Sequence, residues 1–246
     1  MLPVQNTVPS RYPPVVTWGL IFANCTIFLI QASLNPVELD WFLQRFALVP
    51  ARYFMALPYD TPALTPWGYL PFVSNMFLHG GWLHLILNMW TLWLFGPAVE
   101  DRVGSGRYLL FYIGCGIAAS IAHAFSNPDS VVPALGASGA IAGVLGCYIR
   151  FFPFARLVVL VPILFIPLFF EVPAVIFAGL WFLLQILEGT ADLFMPSTGG
   201  GVAWWAHIGG FVIGFVIGPL LRKSPHRYRT YYDDEGILGF DPLGRS

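Results

Sequence analysis

The chain has 246 residues; 57% are hydrophobic, only 10% are charged, and the mean hydropathy is +0.70. A soluble globular domain carries roughly 25% charged residues, so the composition excludes an ordinary soluble fold and points to an integral membrane protein. The net charge of −1, without a basic patch or stacking motif, gives no sign of a nucleic-acid partner. Cys25, Cys115 and Cys147 all sit inside apolar runs, where thiols pack as small hydrophobes, so no disulfide, metal site or redox function is expected from them.

Residues 1–14 are polar and Pro-rich, which predicts a flexible tail. Residues 15–34 form an apolar run of twenty, long enough to cross a core of about 30 Å at about 1.5 Å per residue. The run is too long for a signal-peptide core, and no small-x-small cleavage pattern follows it before Pro36. It is the first expected span. Residues 35–71 form a long connection. Within it Leu39, Phe42, Leu43, Phe46 and Ala47 share a helical face, with Glu38, Asp40, Gln44 and Arg45 between them. That pattern suits a short amphipathic helix in the membrane interface.

Residues 82–99 form the second span, followed by a charged turn, Glu100-Asp101-Arg102-Val103-Gly104. The third span is 107–125. The fourth, 138–152, has only fifteen residues, or about 22 Å. Residues 156–170 are apolar but broken by Pro162 and Pro167, and are not expected to span. The fifth span is 172–191 and the sixth 202–221. A polar tail, 223–246, closes the chain, leaving a membrane domain over 15–222.

With the N-terminus inside, ten basic residues fall on the cytoplasmic side: Arg11, Arg102, Arg107, Arg150, Arg156, Arg222, Lys223, Arg227, Arg229 and Arg245. Only Arg45 and Arg52 lie outside. The asymmetry follows the positive-inside rule. The expected location is therefore the plasma (inner) membrane, multi-pass, with both termini cytoplasmic.

The second, fourth and sixth spans then run in parallel toward basic residues that mark depth. Ser138 lies twelve residues before Arg150, about 18 Å above the inner boundary. His207 lies fifteen before Arg222, about 22 Å. Asn88 and His84 lie fourteen and eighteen before Arg102, about 21 and 27 Å. Four polar groups on three helices thus share one layer. The short fourth span has to begin within the membrane, and irregular backbone there is tolerated only in protein or beside water. A water-filled cavity with Ser138 at its floor meets that condition. Gly139, Gly143 and Gly146 line the fourth span; Gly210, Gly214 and Gly218 line the sixth. Small-residue faces of this kind let membrane helices approach closely.

A lone membrane serine usually bonds back to its own helix, and a lone histidine is usually structural. Ser138 and His207 at matched depth are instead a candidate nucleophile and base, because serine needs a base to take its proton and neutral imidazole does so near pH 7. Acyl transfer also needs donors at the oxyanion. The Asn88 amide and the His84 ring share one face of the second span, and the Ser138 amide is free at a helix N-terminus. The rival constellation is a metal site using His79, His84 and His207. His79 and His84 are five apart, about 140° around a helix, and no carboxylate sits between them. His123 reads as interfacial. Glu188 and Asp192, four apart near the outer end of the fifth span, are carboxylates that could in principle orient His207, but they read rather as solvated at the outer boundary.

Four motifs in order, His79-Gly-Gly-Trp-Leu-His84-x3-Asn88, Val99-Glu100-Asp101-Arg102-x-Gly104, Gly136-Ala137-Ser138-Gly139 and Ala206-His207-Ile208-Gly209-Gly210, resemble those of the rhomboid intramembrane serine proteases of bacterial type. The resemblance covers roughly 15–222. It implies an all-α, six-transmembrane-helix bundle with a long interfacial loop between the first two helices. It also implies a Ser–His dyad, no cofactor, and cleavage of protein substrates near the outer ends of their transmembrane segments within the lipid bilayer. Residue by residue, Ser138 is implied as nucleophile, His207 as base, and His84 and Asn88 as oxyanion helpers. Two positions depart from the family pattern: Gly68, not Arg, follows Trp67, and Ala142, not Tyr, stands four residues after the serine. The second leaves the support of the His207 ring open, with Trp204 and Trp205 as candidates. The alternatives are a catalytically inactive rhomboid-like factor that binds membrane proteins, and a transporter, although no repeat of two halves is visible.

Overall fold

The computed structural model describes residues 2–55, 66–163, 166–194 and 203–223. The polar tail beyond Lys223 and the middle of the long connection, 56–65, lie outside the described residues. In chain order the elements are β1 (Leu2–Asn6), α1 (Val15–Ser33), α2 (Pro36–Phe46), α3 (Ala51–Phe54), α4 (Pro71–Ser74), α5 (Trp82–Val103), α6 (Ser105–Ser126), α7 (Ser138–Phe151), β2 (Arg156–Ile163), β3 (Ile166–Pro173), α8 (Ala174–Phe194) and α9 (Trp204–Ile217). α1, α5, α6, α8 and the helical stretch Trp204–Leu221 are each long and apolar enough to cross a membrane, and α7 is a shorter apolar helix. The fold is a polytopic helical membrane bundle.

α7 is its axis. Every residue from Gly139 to Ile149 is buried. A helix that is apolar all round belongs inside a bundle, and α7 packs against α5, α6, α8 and α9. Its fourteen residues rise about 21 Å, short of a 30 Å core. The glycine faces of α7 and α9 meet backbone to backbone. A Cβ built on Gly210 would overlap the carbonyl oxygen of Gly139, and one on Gly214 that of Gly143. α6 closes the third side, with the Ala119 Cβ 2.5 Å from where a Gly139 Cβ would stand.

The amphipathic helix of the long connection is α2. Asn35 accepts from Val37 and Glu38 while Glu38 reaches back to the Asn35 amide, a capping box with Pro36 in the first turn. Leu39, Phe42, Leu43 and Phe46 are half-buried and Ala47 is buried, whereas Glu38, Asp40 and Arg45 are exposed.

Two expectations are corrected. The charged stretch after the second span is not a turn: α5 continues through Val103, and Glu100, Asp101 and Arg102 are buried. Glu100 caps α1, accepting from Val16 and Thr17 backbone N–H at 3.0 and 2.8 Å and from the Thr17 hydroxyl at 2.8 Å. It also accepts from Ser105 at the start of α6, at 2.7 Å. Asp101 accepts from the Tyr12 N–H at 3.2 Å. The Lys223 N–H donates to the Arg102 carbonyl at 3.0 Å, so the segment after α9 docks on the end of α5. The turn to α6 is made at Gly104, φ +89°, where the left-handed region favours glycine.

The N-terminal segment is not wholly a flexible tail. β1 pairs antiparallel with β2, and β2 with β3, in a three-stranded sheet. The Pro-broken stretch 156–170 thus lies in the antiparallel strands β2 and β3 and not in a helix. β1 is held further by Trp90 Nε1 donating to the Pro3 carbonyl at 2.7 Å and by the Asn6 amide on the Leu94 carbonyl. Five residues with an internal proline carry no strand signal of their own; the edge of β2 and the side of α5 supply it.

Because the α7–α9 contact leaves no room for a methyl group, Gly214→Ala should lower stability by more than about 3 kcal/mol, above the usual overpacking range because the atoms met are the Gly143 backbone and not a flexible side chain. Gly179→Ala in α8, where nothing stands within 4 Å of the added carbon, should be neutral. Thermal unfolding in detergent compares the two directly.

Candidate active site

Ser138 opens α7. The loop leading to it is pinned by Leu48 and Ala134, which exchange backbone hydrogen bonds at 3.0 and 2.7 Å, and by the Gly136 N–H on the Asn75 carbonyl at 2.9 Å. Gly136 has φ +128°. A Cβ there would stand 2.8 Å from both Cε1 and Nε2 of His84 and 3.7 Å from the Ser138 hydroxyl. Glycine is required twice over, by the backbone angle and by the approach of the His84 ring to the serine. No side chain caps α7, so its first N–H groups remain available as donors.

His207 lies one turn into α9 and is buried. Its Nε2 stands 2.7 Å from Ser138 Oγ. Its Nδ1 stands 2.6 Å from Oε1 of Gln185, on α8. Trp181, one turn before Gln185, lies 5.8 Å from the imidazole at 36°, and Trp204 meets it edge-on at 6.3 Å and 88°. Of the two expected ring supports, only Trp204 makes a ring contact among the described residues, and the nearer aromatic is Trp181. Neither Gln185 nor Trp181 was found from the sequence. The signal was present: Gln185 is the one amide in the apolar run 174–187, and a polar side chain inside a membrane helix is a functional candidate by default.

His84 is half-buried on the first turns of α5. Its Nδ1 accepts from the Gly80 N–H at 3.3 Å. That bond leaves the proton on Nε2, the atom that lies beside Gly136 and the serine. Asn88, one turn further along the same face, is buried, and its Nδ2 has no hydrogen-bond partner among the described residues. His79 is fully buried, in edge contact with Phe28 and with His84 at 5.1 Å between ring centres. Burial, with help from the neighbouring His84, pushes its pKa down to about 4, and neither of its ring nitrogens has a hydrogen-bond partner among the described residues. It is therefore a neutral spacer behind His84.

The structure does not gather the three histidines of the rival metal reading into one site. Both ring nitrogens of His207 are engaged by Ser138 and Gln185. Among the described residues no three His, Cys, Asp or Glu side chains converge. His123, expected only at the interface, lines a cavity of about 30 Å³ shared with Ser138, Asn75 and Ser120. A space of that size holds a water. Asn75 donates to the Ser120 hydroxyl at 2.8 Å and forms its polar wall. Glu188 is exposed, and the charge of Asp192 acts on His123.

Residues 66–224 match the rhomboid domain, which is well over half of the chain. The chain belongs to the rhomboid family. It is 27% identical over 227 residues to the mitochondrial rhomboid protein 1 of Saccharomyces cerevisiae, covering 89% of this chain and 57% of that one. It is 49% identical over 74 residues to the rhomboid protease GluP of Bacillus subtilis, covering 30% and 14%. With the rhomboid protease GlpG of Klebsiella pneumoniae it shares 29% over 115 residues, 46% of this chain and 36% of that protein. The chain spans little more than half of the yeast relative and less of the two bacterial ones. This rhomboid is thus an integral, multi-pass membrane protein of a family of intramembrane proteases and their relatives.

An orphan buried donor costs roughly 1–3 kcal/mol. Asn88→Leu, which keeps the volume and removes the orphan, should therefore hold or raise the melting temperature. A fall of several degrees would mark Asn88 as interhelical glue instead.

Proposed function

We propose that this rhomboid is a serine endopeptidase that hydrolyses protein substrates at or near the outer ends of their transmembrane segments, with Ser138 as nucleophile and His207 as base. The observation that carries the reading is the 2.7 Å contact between Ser138 Oγ and His207 Nε2 inside a helical membrane bundle. Nε2 takes the hydroxyl proton as Oγ attacks the scissile carbonyl carbon. The C=O electrons move onto oxygen, giving a tetrahedral oxyanion. The Ser138 N–H at the start of α7, His84 Nε2–H and the unpartnered Asn88 amide supply donors for it. His207 then returns the proton to the leaving amine, and the C–N bond breaks to leave an acyl-serine. A water, for which the adjoining cavity has room, repeats the sequence on the ester and frees Ser138.

The experiment is cleavage of a model transmembrane substrate by the detergent-purified chain, with the cut mapped by mass spectrometry. Ser138→Ala and His207→Ala should each remove nearly all cleavage, and the double variant should be little worse, because the two act as a unit. Substantial cleavage by Ser138→Ala would sink the serine mechanism. A well-folded wild-type chain that binds substrate without cutting it would favour an inactive membrane-protein-binding factor.

The same reading places both termini on the basic, cytoplasmic side, with the Ser138 cavity opening to the other. Tyr12, Asp101, Arg102 and Lys223 meet at one end of the bundle, which suits an even number of crossings. A reporter after Ser246 should be active in the cytoplasm and one near Asp60 outside. The reverse pattern would overturn the orientation.

A further inference from the structure

A Ser–His pair works only when the imidazole carries its proton on Nδ1 and turns the lone pair of Nε2 to the serine. Neutral imidazole can hold its proton on either nitrogen, and the hydrogen bond made by the far nitrogen decides which. In the serine proteases of the soluble world a buried carboxylate does this. Neither carboxylate near this site does so here: Glu188 is exposed and Asp192 acts on His123. The group at Nδ1 is the Gln185 amide, 2.6 Å away.

A side-chain amide can be turned end for end, so its oxygen has to be located by its other bonds. Gln185 Nε2 donates to the Trp181 carbonyl, one turn back on α8, at 3.2 Å. With the nitrogen committed there, the oxygen faces the ring. That oxygen only accepts, so Nδ1 has to be the N–H. Nε2 is then the bare nitrogen, and it is the atom 2.7 Å from Ser138 Oγ. Gln185 and His207 are both buried, 5% and 8% exposed, so water does not compete for Nδ1. Trp181, on the same face of α8 as Gln185, lies against the imidazole and restricts its plane.

We infer that Gln185 is the positioning residue of the dyad, holding His207 in the Nδ1–H tautomer while Trp181 limits the tilt of the ring. The inference rests on the protease reading above. A neutral amide orients the ring without adding a buried charge to the membrane interior, where charge is expensive. It gives the imidazolium formed in the reaction less support than a carboxylate would, so its removal acts through orientation. α8 thereby becomes part of the active site. Gly189, one turn after Gln185, lets α8 sit close to α9: a Cβ there would stand 3.1 Å from the Trp204 Cβ.

The test uses the full chain in detergent and two variants. Gln185→Leu keeps the shape and loses the acceptor; Gln185→Glu keeps an acceptor at the same reach. Four readouts are taken: labelling of Ser138 by a fluorophosphonate, kcat and KM on a model transmembrane substrate, melting temperature, and the side-chain ¹⁵N shifts of His207. Gln185→Leu should lower kcat and the labelling rate about 10- to 100-fold, by analogy with the hydrogen-bond partners that orient metal-bound histidines, with KM and melting temperature near wild type. Gln185→Glu should restore most of the loss. The wild-type ¹⁵N shifts should report Nδ1 protonated. Gln185→Leu labelling at the wild-type rate, or a wild-type His207 protonated on Nε2, overturns the inference. If Gln185→Leu does not fold, the wild-type tautomer decides alone. A folded wild-type chain that neither labels nor cleaves sinks the protease reading, while the ¹⁵N shifts still show where the proton sits.

Discussion

The contact between the glycine faces of α7 and α9 sets everything else in this molecule. Ser138 rides on one helix and His207 on the other, and their hydrogen bond tolerates only tenths of an ångström. In a bilayer no hydrophobic force drives one helix onto another, because lipid tails are as apolar as leucine. Association comes from close van der Waals contact, which requires that the backbones touch. Gly139 with Gly210 and Gly143 with Gly214 achieve this, with α6 packed into the same seam through Cys115 and Ala119. A methylene's width of extra separation would carry the imidazole out of reach of the hydroxyl, and displacements near 1 Å already cost about 10²-fold in rate.

The second constraint is the absence of water from the membrane interior. Polar groups placed there have to find partners within the protein. Glu100 accepts from four donors on α1 and α6 and so fixes three helix ends to one another. Gln31 exchanges two hydrogen bonds with the His79 backbone, 3.2 Å in and 2.6 Å out, tying α1 to the loop before α5. Gln185 spends its nitrogen on α8 and its oxygen on His207. Against this economy the unpartnered Asn88 amide stands out, and an oxyanion that exists only during reaction is an acceptor that would complete it.

Much of this was legible in the sequence, for stated reasons. Long apolar runs gave the spans, since twenty residues at helical rise match the core thickness. The glycine spacings of three and four gave the seam. Residue counts to basic markers placed Ser138, His207, His84 and Asn88 in one layer, and the structure brings the first two into contact and His84 beside them. What was not legible depended on partners distant in sequence. Glu100 and its neighbours read as a charged turn because nothing local reveals that Tyr12, Val16 and Thr17 dock on them. Leu2–Asn6 has no strand pattern until Arg156–Ile163 is present to pair with it. Gln185 carries no charge and belongs to no motif along the chain, and only the fold shows that its amide meets His207 from another helix.

The pairing of the first strand also has a consequence in time. Thr7 and Arg156 are joined by three hydrogen bonds and stand 149 residues apart. At synthesis rates of about 5–20 residues per second, the N-terminus waits on the order of 10–30 s for its partner. During that interval α1, α5 and α6 are already made, and the Trp90 indole has no Pro3 carbonyl to bond. β1 is therefore fastened into its sheet only after the serine-bearing helix has been synthesised.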